Sequence, residues 1–224
     1  MGSLILKGQS SGEIALTPPS VAGASTLLLP AGNDTLVTLN GIQTLTNKTI
    51  AASQFTGSIS ASALPAGSII QAVQGSYTTQ TSFAGNGTTF FATGLSASIT
   101  PSSTSNKILA LVTIGVFASS TANVTAAFQL QRGGTPVGNG VPSGSRQGAL
   151  FRLGNYTGDG NHGSGLSFSY LDSPSSTSAL TYTVNVEPQN GQTFYINYTG
   201  LNSNNSDSYA TYVASYIILL EVKG

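Results

Sequence analysis

Five carboxylates lie beyond residue 150, Asp159, Asp172, Glu187, Asp207 and Glu221, and they are the groups that could cleave a glycan. That reaction needs two carboxyl groups facing each other across the bond, about 5 to 9.5 Å apart. These five are scattered among turns and strand ends, and Glu187 stands just before Pro188, where a carboxylate is solvated. A serine nucleophile would need His162, the only histidine, but GDGNHGSG lacks the strand-to-helix setting of a nucleophile elbow. No enzyme is expected.

The loop TGDGNHGSG, residues 157 to 165, places Asp159, Asn161 and His162 among glycines, where they could ligate a metal. Its Asp-Gly-Asn run begins like a calcium loop, yet no acidic residue closes the site at the required distance. A turn between two strands, with neither metal nor cofactor, is the better reading. The same loop suits binding: Tyr156 could stack on a sugar ring beside the amides of Asn155 and Asn161. Asn155, Tyr156, Asp159, Asn161 and His162 are therefore the candidate receptor-facing set, since binding residues collect on loops at one end of a rigid scaffold. Arg146 and Arg152 could grip an acidic sugar or a phosphate, although isolated arginines also sit at subunit rims. Phe83, in QTSFAGNG, is placed in another loop, and Tyr209 and Tyr212 flank the last strand.

The elements that must position these residues are strands. VTAAFQLQR alternates, with Val124, Ala126, Phe128 and Leu130 on one face and Thr125, Gln129 and Gln131 on the other. LSFSY, ALTYTVNV and FYINY alternate in the same way. KILALVTIGVF, residues 107 to 117, is apolar on both faces and reads as a central strand buried on both sides. Asn190-Gly191 in EPQNGQT is a hairpin signal, and Gly133-Gly134 marks another turn. The final strand, ending in YIILLEV, must be buried, either centrally in a sheet or at a subunit interface, because exposed it would aggregate. About eight or nine short strands without a helix predict an all-β fold, an antiparallel, jelly-roll-like β-sandwich over residues 68–224, with a barrel as the alternative.

Residues 1–67 are different. Short segments such as GEIALT, LLLPAGND and TLVTLNG are broken by Gly, Pro, Asn and Ser, and they carry too little apolar material for a core of their own. Gly, Ser and Pro enrichment points to a disordered leader. The recurring Leu, Ile and Val point instead to contacts between identical chains about a threefold axis. In that case Leu39, Ile42, Leu45, Ile50, Phe55 and Ile59 meet their own copies along an extended shaft.

Composition narrows the partners. The chain has 224 residues, seven basic and seven acidic side chains, and no cysteine. Only 6% of its residues are charged, against about 25% in ordinary soluble domains, so its surface is made of hydroxyls and amides. A sparse, balanced charge set excludes a nucleic-acid footprint and an anionic membrane surface. The absence of cysteine excludes a disulfide framework and a thiolate metal site. The apolar run Leu4 to Leu6 is far short of a signal-peptide core. The expectation is a protein made in a cytoplasm that leaves by another route, such as lysis.

GEIALTPPSVAGASTLLLPAG resembles a phrase that recurs near the N-terminal ends of bacteriophage fibre proteins. GIQTLTNKTI is similar to a phrase of their shafts. TTFFATGLSASITPSSTSNKILALVTIGV, residues 88 to 116, resembles the start of a β-rich domain common in phage tail fibres, and SYIILLEV its closing strand. The resemblance implies a homotrimer in the virion. Residues 1–67 would form the attachment and shaft segment, held by other tail or baseplate proteins, and residues 68–224 a head meeting a host surface glycan. A head-decorating or baseplate-stabilising protein without a receptor shares these features, and a carbohydrate-binding module from a cell is a further alternative.

Overall fold

The computed structural model describes residues 4–7, 10–16, 49, 51, 53, 57–119, 124–155, 164–197 and 212–224. The chain divides into two compact units, Met1–Gly57 and Ser58–Gly224. In the first, β1 (Leu4–Lys7) and β2 (Glu13–Leu16) pair antiparallel, with Leu6 opposite Ile14. Of the residues expected to line a shaft, Leu39, Ile42, Leu45, Ile50 and Phe55 lie outside the described residues. Ile59, in the second unit, is exposed.

The second unit is an antiparallel β-sandwich. One six-stranded sheet runs β3 (Ile69–Tyr77), β13 (Ser215–Val222), β6 (Lys107–Ser119), β12 (Thr193–Ile196) and β4 (Thr81–Ala84), with β10 (Ser164–Asp172) also paired to β6. The five-stranded sheet runs β5 (Phe91–Ile99), β11 (Leu180–Pro188), β7 (Val124–Arg132) and β8 (Thr135–Val137), with β9 (Phe151–Asn155) also paired to β7. Alternation fixes which side chains enter the core: Leu95 and Ile99 from β5, Phe128 and Leu130 from β7, Tyr182, Val184 and Val186 from β11, and Ile217 and Leu219 from β13 are buried. The Phe128 ring joins the layers, meeting Phe194 edge-on at 5.8 Å and Phe168 at 6.5 Å.

Three local expectations change. KILALVTIGVF is central, but within one chain only one of its faces is buried: Ile108, Ala110, Val112 and Ile114 point inward, whereas Leu109 is half-buried and Leu111 exposed. The Asn190-Gly191 turn forms, with the Gln192 N–H donating to the Gln189 carbonyl at 3.1 Å, but it is not a hairpin. It carries the chain from one sheet to the other, because β12 finds its partners in β4 and β6 rather than β11. Gly85, just past β4, docks this turn by donating to the Gln192 carbonyl and accepting from the Gly191 N–H. Phe83 lies in β4 and not in a loop; it is buried and packs on Phe91 at 6.3 Å. The Gly133-Gly134 turn does join a hairpin, β7 to β8, with both glycines at positive φ as the tight turn requires.

Residues 58–67 belong with the sandwich. A 3-10 turn at Ala61–Ala63 is capped by Ser60, the Lys223 ammonium donates to the Ser62 carbonyl at 2.8 Å and to that of Leu64, and the Gly67 N–H donates to the Lys223 carbonyl at 2.8 Å. This stretch is thereby fastened to the end of β13.

At Gly75 the backbones of β3 and β5, from the two sheets, lie close together. A Cβ on Gly75 of β3 would stand 1.9 Å from the Ser96 carbonyl oxygen of β5, so only glycine fits. Gly75→Ala is expected to cost about 2 kcal/mol through the forced separation of β3 and β5. It would be read as a lower urea midpoint at unchanged slope. A midpoint equal to that of the parent would show that the strands part freely there.

Candidate functional site

Three of the five carboxylates named above lie among the described residues, and each accepts hydrogen bonds from neighbouring side chains. Asp172, at the end of β10, is buried, and its Oδ2 accepts from the Arg132 guanidinium and from the Tyr182 hydroxyl at 2.7 Å. Burial lowers the Arg132 pKa, but its bond to Asp172 outweighs that and holds it above the usual value. Burial, reinforced by Asp172, pushes the Tyr182 phenol well above its ordinary range. Glu187 is half-buried, which raises its pKa, and accepts from Gln147 Nε2 at 3.2 Å.

Glu221, in β13, is fully buried. Its Oε1 accepts from the Ser102 N–H at 2.7 Å, the Ser102 hydroxyl at 2.7 Å and Asn106 Nδ2 at 2.6 Å, and its Oε2 from Gln71 Nε2 at 2.5 Å. Burial raises its pKa, and the bonds from Asn106, Gln71 and Ser102 more than reverse that, leaving it below the ordinary value. Four neutral donors around one anion tie β3, the 102–106 turn and β13 together. Asp159 and Asp207 lie outside the described residues. Among the described residues no group of three or more His, Asp or Glu could hold a metal ion.

The feature most unlike an ordinary soluble surface is the outer face of the six-stranded sheet. Registers place Leu171, Leu109, Leu220 and Ala72 in one row across β10, β6, β13 and β3. The next row is Ser169, Leu111, Ile218 and Gln74, and the one after it Ser167, Thr113, Tyr216 and Ser76. Leu111, Leu171, Tyr216 and Ile69 are exposed, and Leu109, Ile218 and Leu220 are half-buried. Glu221 and Asp172 on these strands point inward, so among the described residues the only charge on this face is Lys107, opposite Val222 at its edge. A contiguous apolar area on a monomer marks an interaction site.

The loop set predicted to face a receptor is largely beyond view. Tyr156, Asp159, Asn161 and His162 lie outside the described residues; Asn155 closes β9, opposite Val124. Tyr209 also lies outside them, and Tyr212 is exposed. Arg152, on β9, donates from Nη2 to the Thr125 hydroxyl at 3.2 Å. Arg146 is exposed in the loop between β8 and β9. Sequence reasoning treated Gln129 as a solvated outward residue, but it is buried beneath that same loop.

No family model and no curated protein matches this chain. Among solved structures, it is similar to VP2 of infectious bursal disease virus in T=1 particles, with 9% identity over 69% of this chain and 36% of that one and a TM-score of 0.32. It is also similar to the VP2 subviral particle of the same virus, with 11% identity over 70% and 39% of the two chains and a TM-score of 0.29. The chain thus spans little more than a third of those viral proteins. A likeness of this size carries no argument about function.

Proposed function

We propose that this chain is a non-catalytic structural protein of a virion, a tail fibre that assembles as a homotrimer and presents its C-terminal sandwich to the host surface. The observation that carries the assembly is the apolar outer face of the six-stranded sheet. Identical copies suit such a face, because it is nearly uncharged and self-contact brings no like charges together. Ile69, where β3 begins, is exposed and pairs with Val222 of β13 at the edge of this face. The number three comes from the fibre-like phrases of the sequence.

In this reading the N-terminal segment attaches to other tail or baseplate proteins, and the outward loops and the opposite sheet remain free for a host glycan. Three weak sites on one trimer gain affinity through effective concentration. The test is the solution mass of the full chain by light scattering coupled to size exclusion. Three times the 22.7 kDa of one chain is expected. A monomer would overturn the use assigned to the sheet face, and a dimer would overturn the threefold axis.

A further inference from the structure

Between β8 and β9 the chain does not turn directly. Residues 138–150 fold into a flap that lies across the outer face of β7. The Gly140 N–H donates to the Ala149 carbonyl at 3.1 Å, and Ser143 and Arg146 exchange backbone bonds of 3.1 and 3.0 Å near the tip. The Leu150 N–H donates to the Phe128 carbonyl at 2.9 Å, which returns the chain to the sheet. The flap is held down from below: the Gly148 carbonyl accepts from Gln129 Nε2 at 2.8 Å and from Asn139 Nδ2 at 3.1 Å. Gln129 is itself fixed by Gln131, whose Nε2 donates to its Oε1 at 3.1 Å.

This leaves a groove of about 610 Å³ between flap and sheet, within the range of small-ligand sites, roughly 300–1,000 Å³. Its floor is Gln129, its apolar wall is Pro136, Val141 and Pro142, and its rim carries Arg146. Among the described residues no carboxylate lines it. Val141 is 92% exposed on the wall, an apolar side chain displayed rather than packed.

We propose that this groove binds a saccharide bearing a carboxylate. The C–H face of the ring lies on Pro136, Val141 and Pro142, and the sugar carboxylate accepts from the Arg146 guanidinium, which forms no ion pair among the described residues. A rigid, pre-formed flap lowers the ordering cost of binding. The site deepens the host-attachment reading, since it names the ligand class and puts it on the sheet opposite the assembly face.

The experiment is calorimetric titration of the full chain with cellobiouronic acid and, separately, with cellobiose, its neutral counterpart. The acidic sugar is expected to bind at least about tenfold more tightly, as one charge-assisted contact would give. Arg146→Gln is expected to abolish that preference, and it leaves the flap in place because the Arg146 side chain takes no part in the flap's backbone bonds. Absence of binding by either sugar, or equal binding by parent and Arg146→Gln, overturns the proposal. A trimer that binds neither sugar would leave the fibre reading standing, while a monomer that binds the acidic one would remove the fibre and keep the groove.

Discussion

If the proposed trimer forms through the outer sheet face, replacing Leu111 with Asp is expected to convert it into a folded monomer. Leu111 lies near the middle of the outer face of the six-stranded sheet, between Ser169 and Ile218 in the register, and is 38% exposed in the single chain. A carboxylate there costs the isolated sandwich little. At an interface between copies, each chain would lose the burial of a leucine, about 1.5–3 kcal/mol. Each would also have to bury a charge near like charges, at several kcal/mol per ion. Over three copies the sum exceeds what holds ordinary assemblies together. Light scattering reads the mass and circular dichroism the fold. A trimer of unchanged mass would place the interface elsewhere, and a companion Leu171→Asp on β10 tests the same face from a second strand.

Replacing Glu221 with Leu is expected to destabilise the sandwich by about 3–5 kcal/mol. Gln71 Nε2 and Asn106 Nδ2 would each lose one of two acceptors, keeping the Thr100 carbonyl and the Ser102 hydroxyl, and the Ser102 N–H and hydroxyl would lose theirs; a buried donor left unpaired costs about 1–3 kcal/mol. The pH dependence supplies a second reading. The folded-state pKa of Glu221 is depressed, so the stabilisation from its ionised form is complete above the ordinary value of 4.5. It is lost as pH falls below 4.5 and through the lower folded value. The variant lacks that titration, so its deficit against the parent should shrink in acid. Urea unfolding at neutral pH and near pH 3 measures both quantities. A deficit that stays constant across that window would mean that packing, not the carboxylate, holds the network together.

The strands and their parity were legible in the sequence because one face of each is buried: Tyr182, Val184 and Val186 were placed inward by alternation alone, and they are fully buried. What alternation could not supply was the layer on the other side. Leu109 and Leu111 are as apolar as Ile108 and Val112, and only the completed sheet shows that, among the described residues of the sandwich, no strand covers them. Gln129 fails in the opposite direction. Its outward parity was read correctly, but it was buried by a flap that carries no periodic signal. Asn190-Gly191 specified a turn, not the partners of the strands beside it, because ladder pairing is decided by β4 and β6, far away in sequence. The candidate groove left a single trace in the sequence, the lone Arg146, since most of the flap around it, Gly138 to Gly140, Pro142 and Gly144-Ser145, consists of turn formers that read as loop.

The insertion of β13 between β3 and β6 also sets a clock on synthesis. β3 and β6 emerge from the ribosome early, yet neither pairs with the other in the six-stranded sheet; the strand that joins them is completed only at residue 222. Until β13 is made their ladder edges therefore stay open, and contacts this distant along the chain form slowly. Closure of the six-stranded sheet thus waits for the last of its strands, and the concentration of open-edged chains in the producing cell governs the balance between folding and aggregation.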